Sequence, residues 1–192
     1  LEVAQDFSLF IEQSMKDLQW HLIFGGFLAV FIVFLFLRNI QMTLISALAL
    51  PLSVLATFIL MHALGFTMNT MTMLALSLAI GILIDDAIVV VENIYRHFKK
   101  TSSPKTAARD GTEEIGLAAF AITMSIVAVF LPVAFMKGIV GRFFYQFGMT
   151  VAFSVLMSLF IAFTLTPMLA SKFLKPASTQ GRLSSFIENC MQ

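Results

Sequence analysis

Cysteine and charged residues are both scarce in this sequence. Its 192 residues include a single cysteine, Cys190, which excludes an intrachain disulfide and a zinc site built from several cysteines. Charged residues make up 12% of the chain and hydrophobic residues 59%, whereas soluble domains are about 25% charged. A chain of this size could not hide so much apolar surface in one core. This composition excludes a soluble globular enzyme, a disordered tail and a nucleic-acid binder.

The sequence also lacks the motifs of common enzymes and cofactor sites. It contains no P-loop glycine motif, no nucleophile–base pair and no spacing of its three histidines that suggests a metal site. We therefore expect no cofactor, no enzymatic activity and an energy source other than ATP. The chain begins with LEVAQDF, without an initiator methionine or a signal segment, which favours a piece of a longer polypeptide.

Long runs without charge predict five transmembrane helices. A helix needs about 20 mostly apolar residues to cross about 30 Å of hydrocarbon. Residues 39–84 contain no Asp, Glu, Lys or Arg; this run is too long for one helix, and Gly65 with Thr67 or Asn69 supplies a break in it. The predicted fold is all-α, a polytopic membrane bundle over residues 20–174, with helices at about 20–38, 42–61, 69–95, 110–136 and 143–173.

Basic residues are distributed unevenly between the two faces of the predicted bundle. One face collects only Lys16, Lys137 and Arg142. An excess of basic residues marks the cytoplasmic side, so we expect a periplasmic N-terminus and a cytoplasmic C-terminus. The basic residues of the cytoplasmic face are Arg38, Arg96, Lys99, Lys100, Lys105, Arg109, Lys172, Lys175 and Arg182.

Little of the chain lies outside the predicted spans. Residues 1–19 predict a periplasmic lead-in helix, and residues 175–192 predict a cytoplasmic or interfacial tail that could seat a short surface helix. Residues 98–114 are basic and interrupted by Ser and Pro, which predicts a cytoplasmic loop between the third and fourth helices.

Two adjacent acids, Asp85 and Asp86, lie inside the third predicted span. At about 1.5 Å per residue, Asp85 is about 24 Å from Asn69 and about 16 Å from Arg96, so both carboxylates lie deep in the membrane. A charge at a helix centre costs about 2.5–3.5 kcal/mol on insertion scales. The acids must therefore be protonated, paired with a cation or wetted by a cavity. Neighbours on a helix point about 100° apart, so the two carboxylates can address different partners. The pattern predicts a pair that takes up and releases protons.

Small and polar residues accompany this doublet on the same helix. Ser77 and Gly81 precede Asp85 by eight and four positions, which predicts a shared face where another helix packs closely. Glu92 and Asn93 lie seven positions after the two acids, on nearly the same faces, and would continue a polar path to the cytoplasm. The simpler interpretation of Glu92 is an interfacial residue, and Asn93 fits either role.

No Lys or Arg lies near the middle of any predicted span. A cation that pairs with the doublet must therefore come from other polypeptide, either elsewhere in a longer chain or in another subunit. This is the main mechanistic expectation from the residues alone.

Four stretches of the sequence carry a resemblance to a known family. They are LALPLSV, LGFTMNTMTMLALSLAIGILIDDAIVVVENIYRH, VFLPVAFMKGIVGRFFYQFG and LTPMLASKFLKP. In this order, and over nearly the whole chain, they resemble the resistance–nodulation–division (RND) efflux pumps, and within them the hydrophobe/amphiphile branch of multidrug exporters.

This resemblance implies that the chain is the second to sixth transmembrane helix of a twelve-helix proton-driven antiporter in the bacterial inner membrane. It implies that Asp85 and Asp86 are the proton relay, with the partner Lys in a second-half bundle absent from this sequence. It also implies a homotrimer in the lipid bilayer, a periplasmic adaptor, an outer-membrane channel and no nucleic-acid partner.

Two other functions stay open at this point. One is a protein-export auxiliary of the same superfamily, and the other is an inactive truncated membrane module. A structural role for the two acids is a further alternative to the relay. The sequence does not determine the exported substrate, the choice between H⁺ and Na⁺, the stoichiometry, the oligomeric state, or whether the chain alone has any activity.

Overall fold

The chain forms five α-helices joined by short connections. The computed structural model describes residues 7–37, 39–101 and 103–174, and within these ranges every regular element is a helix. The prediction of an all-α fold is confirmed. The helices are α1 (Phe7–Leu37), α2 (Ile40–Ala63), α3 (Thr70–Thr101), α4 (Pro104–Ala134) and α5 (Ile139–Phe173).

Helices α2 to α5 are each long and apolar enough to cross a membrane. Helix α1 contains a shorter apolar stretch, Gln19–Leu35. Many large apolar side chains point outward: Leu117 is 86% exposed, Ile59 is 71% exposed and Phe27 is 70% exposed. Such a surface is unfavourable in water but suits contact with lipid. The chain is therefore a multi-pass membrane helix bundle, as predicted.

Asparagine side chains cap the first turns of α2 and α3, and a glycine turn lies between these two helices. Gly65 has a φ of +71°, a left-handed conformation that glycine adopts without steric cost. The Oδ1 atom of Asn69 then accepts the backbone N–H groups of Met71 and Thr72, both at 3.0 Å. Asn39 caps α2 in the same way. The predicted break at Gly65 and the cap at Asn69 are confirmed.

The segment between the third and fourth helices differs from the prediction. Helix α3 continues to Thr101 and α4 begins at Pro104, so most of residues 98–114 is helical and the predicted loop is wrong. Proline is well tolerated at the first position of a helix, and the preceding Ser103 is extended, with φ −107°. Lys99 and Lys100 lie in the last turn of α3, where positive charge favours a helix C-terminus.

The predicted ends of the chain are described only in part. The predicted lead-in over residues 1–19 is continuous with α1 from Phe7 onward, so no break separates it from the first apolar stretch. The predicted tail, residues 175–192, lies outside the described residues.

Helix α3 contacts each of the four other helices. It runs parallel to α5, because the Nδ2 atom of Asn69 bonds Oε1 of Gln146 near the start of both helices, and the Ser158 hydroxyl donates to the Leu83 carbonyl at 3.0 Å further along. We call the end of the bundle near Thr101 and Pro104 the basic end. The doublet of acids therefore lies on the helix that contacts all the others.

Candidate functional site

The acid doublet lies at the middle of α3. Asp85 is 15 residues after Thr70 and 16 residues before Thr101, which places it about 23 Å from one end of the helix and about 24 Å from the other. The residues on both sides are apolar, from Ile80 to Ile84 and from Ala87 to Val91, with Gly81 as the exception. The structure thus places two carboxyl groups as far from either helix end as the chain allows.

The two acids differ in their surroundings. Asp86 faces the interior of the bundle and is 9% exposed, whereas Asp85 is exposed. The Oδ2 atom of Asp86 is buried and has no hydrogen-bond partner among the described residues. The neighbouring polar group on α5 is Ser158, whose hydroxyl binds the Leu83 carbonyl one turn before Asp86. A buried carboxyl oxygen without a partner is costly when the group is charged, so Asp86 requires a proton, a cation or water.

Asp85 belongs to an open face of α3, which we define by Ser77, Gly81, Asp85, Val89 and Glu92, all of them exposed. A Cβ atom added at Gly81 would have nothing within 4 Å outside its own helix. Ser77 and Gly81 therefore do share a face with Asp85, but no described helix packs there. The close helix approach expected at these two residues stays a prediction about other polypeptide.

Glu92 and Asn93, the two residues predicted to continue a polar path from the doublet, point to different sides of α3. Glu92 lies on the open face with Asp85, two turns closer to the basic end. Asn93 is 7% exposed and faces α4. Its Nδ2 group donates to the Gly111 carbonyl at 2.6 Å and to Oε2 of Glu114 at 3.2 Å. Both hydrogen bonds of Asn93 thus join two helices, and neither is directed towards the doublet.

A cluster of polar side chains that was not predicted from the sequence lies at the basic end. Both carboxylate oxygens of Glu114 are 2.7 Å from Nη2 of Arg96, and Oε2 is 2.6 Å from Nε2 of His97. We call Asn93, Arg96, His97, Gly111 and Glu114 the α3–α4 joint. The available signal was spacing: the three α3 residues occur at i, i+3 and i+4, and the two α4 residues at i and i+3, so each set shares one helix face. Assigning residues 98–114 to a loop concealed that pattern.

Gly111 allows the two helices of the joint to approach closely. A Cβ atom at this position would lie 2.8 Å from Cα of Ile94 and 3.0 Å from its backbone nitrogen. Real Cβ atoms do not approach backbone so closely, so a larger residue would push α3 and α4 apart. The hydrogen bond from Asn93 to the Gly111 carbonyl depends on this close contact.

The described residues do not form a metal site, since no group of three or more His, Cys, Asp and Glu side chains is close enough to hold a metal ion. Two clusters of ionisable side chains, the doublet and the joint, thus involve α3. One lies at mid-helix and the other at the basic end.

Comparison with known proteins identifies the family. The family model described as the AcrB/AcrD/AcrF family matches residues 1–191. The chain belongs to this family. The predicted membership of the RND multidrug pumps is confirmed.

Several curated proteins are similar to nearly the whole chain. The chain is 43% identical to the multidrug resistance protein MdtC of Pantoea ananatis over 182 residues, 95% of its length. It is 42% identical to MdtC of Pectobacterium atrosepticum and 40% identical to MdtC of Escherichia coli O139:H28, each over 188 residues and 97% of its length. The chain spans 18% of the length of each of these relatives.

Proposed function

We propose that this chain is part of a proton-driven antiporter of the inner membrane that exports drugs and amphiphilic compounds. The single observation that carries the proposal is the doublet at the centre of α3, with Asp86 buried and Asp85 on an open face. The curated relatives are named multidrug resistance proteins, which supports drugs as the exported class. The function is transport and not an enzymatic reaction.

In this proposal the doublet exchanges protons because its two members have different surroundings. Asp86 is shielded, and charging it without a partner is unfavourable, so it takes up a proton when no cation is near. Asp85 is available to a cation that arrives at the open face. Approach of that cation stabilises the carboxylates and releases their protons, and its departure favours their protonation again. One charge that crosses 100 mV corresponds to about 2.3 kcal/mol, so one or two protons per cycle supply a useful conformational bias.

The cation is proposed to be a Lys in the middle of a second-half bundle. No Lys or Arg lies near the centre of a described helix, while the open face of α3 has room for another helix at Gly81 and Ser77. Small residues allow close helix approach in membranes, which would bring a lysine side chain within reach of Asp85. A homotrimer, a periplasmic adaptor and an outer-membrane channel complete the proposed assembly, as the family resemblance implies.

The uneven distribution of basic residues supports the proposed orientation. Arg96, Lys99, Lys100, Lys105 and Arg109 all lie at the basic end of α3 and α4. The positive-inside rule assigns this end to the cytoplasm. Gly65 and the α4–α5 connection then face the periplasm, from which protons would enter.

The proposal is tested by removing each carboxylate from the full-length transporter that contains this chain. We expect Asp85→Asn and Asp86→Asn each to abolish drug efflux from cells and drug-coupled proton flux in proteoliposomes, because neither amide can exchange a proton. Glu113→Gln is the matched control: this carboxylate is exposed on α4 near the basic end, and its loss should leave efflux unchanged.

Expression and assembly of each variant are checked by size-exclusion chromatography, since the loss must be of coupling and not of folding. Normal efflux from both aspartate variants would show that the doublet does not carry the coupling protons.

A further inference from the structure

The α3–α4 joint has no role in the proton exchange described above, yet it is the most extensive polar contact between two described helices. The Glu114 carboxylate forms hydrogen bonds or ion pairs with the side chains of Arg96, His97 and Asn93 of α3. These three side chains lie on one face of α3 within about one turn, so a single residue of α4 bonds to three side chains of that face.

The exposed ion pair of this joint would not by itself hold α3 and α4 together. The side chains of Arg96 and Glu114 are 55% and 49% exposed, and ion pairs of that kind contribute little because water and salt screen them. The buried part is different. Asn93 is 7% exposed, and an amide buried to this extent needs its hydrogen bonds to Gly111 and Glu114. Gly111 adds a backbone contact that no other residue type would permit.

The joint is rigidly connected to the doublet. Asn93 follows Asp86 by seven residues, or about 10.5 Å, within one uninterrupted helix. Beyond the joint, α4 returns to the opposite end of the bundle, at Ala134. A shift of the middle of α3 therefore reaches α4 through the joint, and α4 can carry it across the membrane.

We infer that Glu114 is a positioning residue that keeps α4 attached to α3 while the doublet exchanges protons. The joint stays closed throughout the cycle, so that α3 and α4 move as one unit. This inference rests on the proposed function, because it assigns to Glu114 the transmission of the movement that proton exchange begins.

Two substitutions disrupt the joint independently, and each has a matched control in the same helix. Glu114→Ala removes the carboxylate, and Gly111→Ala forces the helices apart. Glu113→Ala removes the adjacent exposed carboxylate. Gly116→Ala adds a Cβ atom only 3.7 Å from Cε1 of Phe163, which is an ordinary contact.

In the full-length transporter, we expect Glu114→Ala and Gly111→Ala to lower the maximal transport rate about tenfold, within the usual range of coupling between distant sites, and to leave KM within about twofold. Both controls should transport normally. Glu114→Gln, which keeps the shape and the bond from Asn93, should be intermediate and guards against a variant that fails to fold. Normal transport by Glu114→Ala would overturn the inference, whereas a parent transporter that exports nothing would overturn the proposed function.

A covalent bridge tests whether the joint must stay closed. His97→Cys and Glu114→Cys are combined with Cys190→Ser, so that no other cysteine of the chain reacts. The reduced protein should transport slowly because the joint is lost. A short bis-methanethiosulfonate, which forms a disulfide with each cysteine and releases methanesulfinate, should link the two helices and restore the rate. Further loss of transport on bridging would contradict the inference, since it would show that the two helices must separate during the cycle.

Discussion

At the scale of single residues, burial separates side chains that the sequence places side by side. Asp85 and Asp86 are neighbours, but only Asp86 faces the interior of the bundle. Glu92 and Asn93 divide in the same way, with Glu92 on the open face and Asn93 bonded to α4. The 100° step of a helix predicts that such neighbours diverge. Which neighbour faces the interior depends on where the other helices pack, and that is a tertiary property.

Asn69 gives a prediction at this scale. Its side chain caps α3 and also bonds Gln146 of α5. We expect Asn69→Ala to destabilise the bundle by about 1 kcal/mol, the usual cost of a lost helix cap. Thermal unfolding in detergent measures this loss, and hydrogen exchange should increase at Met71 and Thr72 in particular.

The matched control for this substitution is Thr70→Ala, at the next residue, where an exposed hydroxyl is removed and the cap of Asn69 is kept. Equal destabilisation by the two substitutions would show that the cap of Asn69 is unimportant.

At the scale of elements, α3 carries three different contacts along its length. Its start is bonded to α5 through Asn69, its middle holds the doublet, and the turn from Asn93 to His97 forms the joint with α4. The long apolar runs of the sequence predicted this helix and its first residues correctly. They did not predict its last turns, because a basic segment with Ser and Pro is typical of a loop. Pro104 in fact begins α4, since proline suits the first position of a helix.

The open face of α3 gives a prediction at this scale. A Cβ atom at Gly81 would meet nothing within 4 Å outside its own helix. Because Gly81 is exposed, we expect Gly81→Leu to leave folding of the five helices intact. It should abolish transport by the full-length protein, because it would push a second-half helix away from Asp85. Leu78→Ile, an exposed substitution of equal volume on α3, is the control.

The measurement is drug efflux together with cross-linking between the two halves of the transporter. Unchanged efflux from Gly81→Leu would argue that no helix packs closely over this face.

At the scale of the whole molecule, the relatives of this chain are much longer than the five-helix bundle. The chain spans 18% of its curated relatives, and its open face, with Asp85 exposed, is the surface that we propose is covered by the second half. Helix number, the acid doublet and the family were all predictable from sequence, because apolar length and a rare intramembrane acid pair are local signals. The α3–α4 joint was not predictable, because it depends on the register between two helices.

Orientation gives a prediction at this scale. With the basic end in the cytoplasm, a cysteine at position 137 faces the periplasm and one at position 103 faces the cytoplasm. In intact cells, a membrane-impermeant thiol reagent should therefore label Lys137→Cys but not Ser103→Cys, both in the Cys190→Ser background. Labelling of both after the membrane is opened is the control. The reverse pattern in intact cells would invert the proposed topology.

The membrane location, the helical fold and the pair of acids at the centre of one helix can all be inferred from the amino-acid sequence. These properties follow from the chemistry of each segment, since an apolar run must leave water and satisfy its own backbone hydrogen bonds wherever it packs. By contrast, helix packing is what buries Asp86, exposes Asp85 and brings Glu114 into contact with three residues of α3. These contacts depend on how helices that are far apart in the sequence approach and rotate against one another. Gly111 of α4 and Ser158 of α5 contact α3 only when those helices are packed against it.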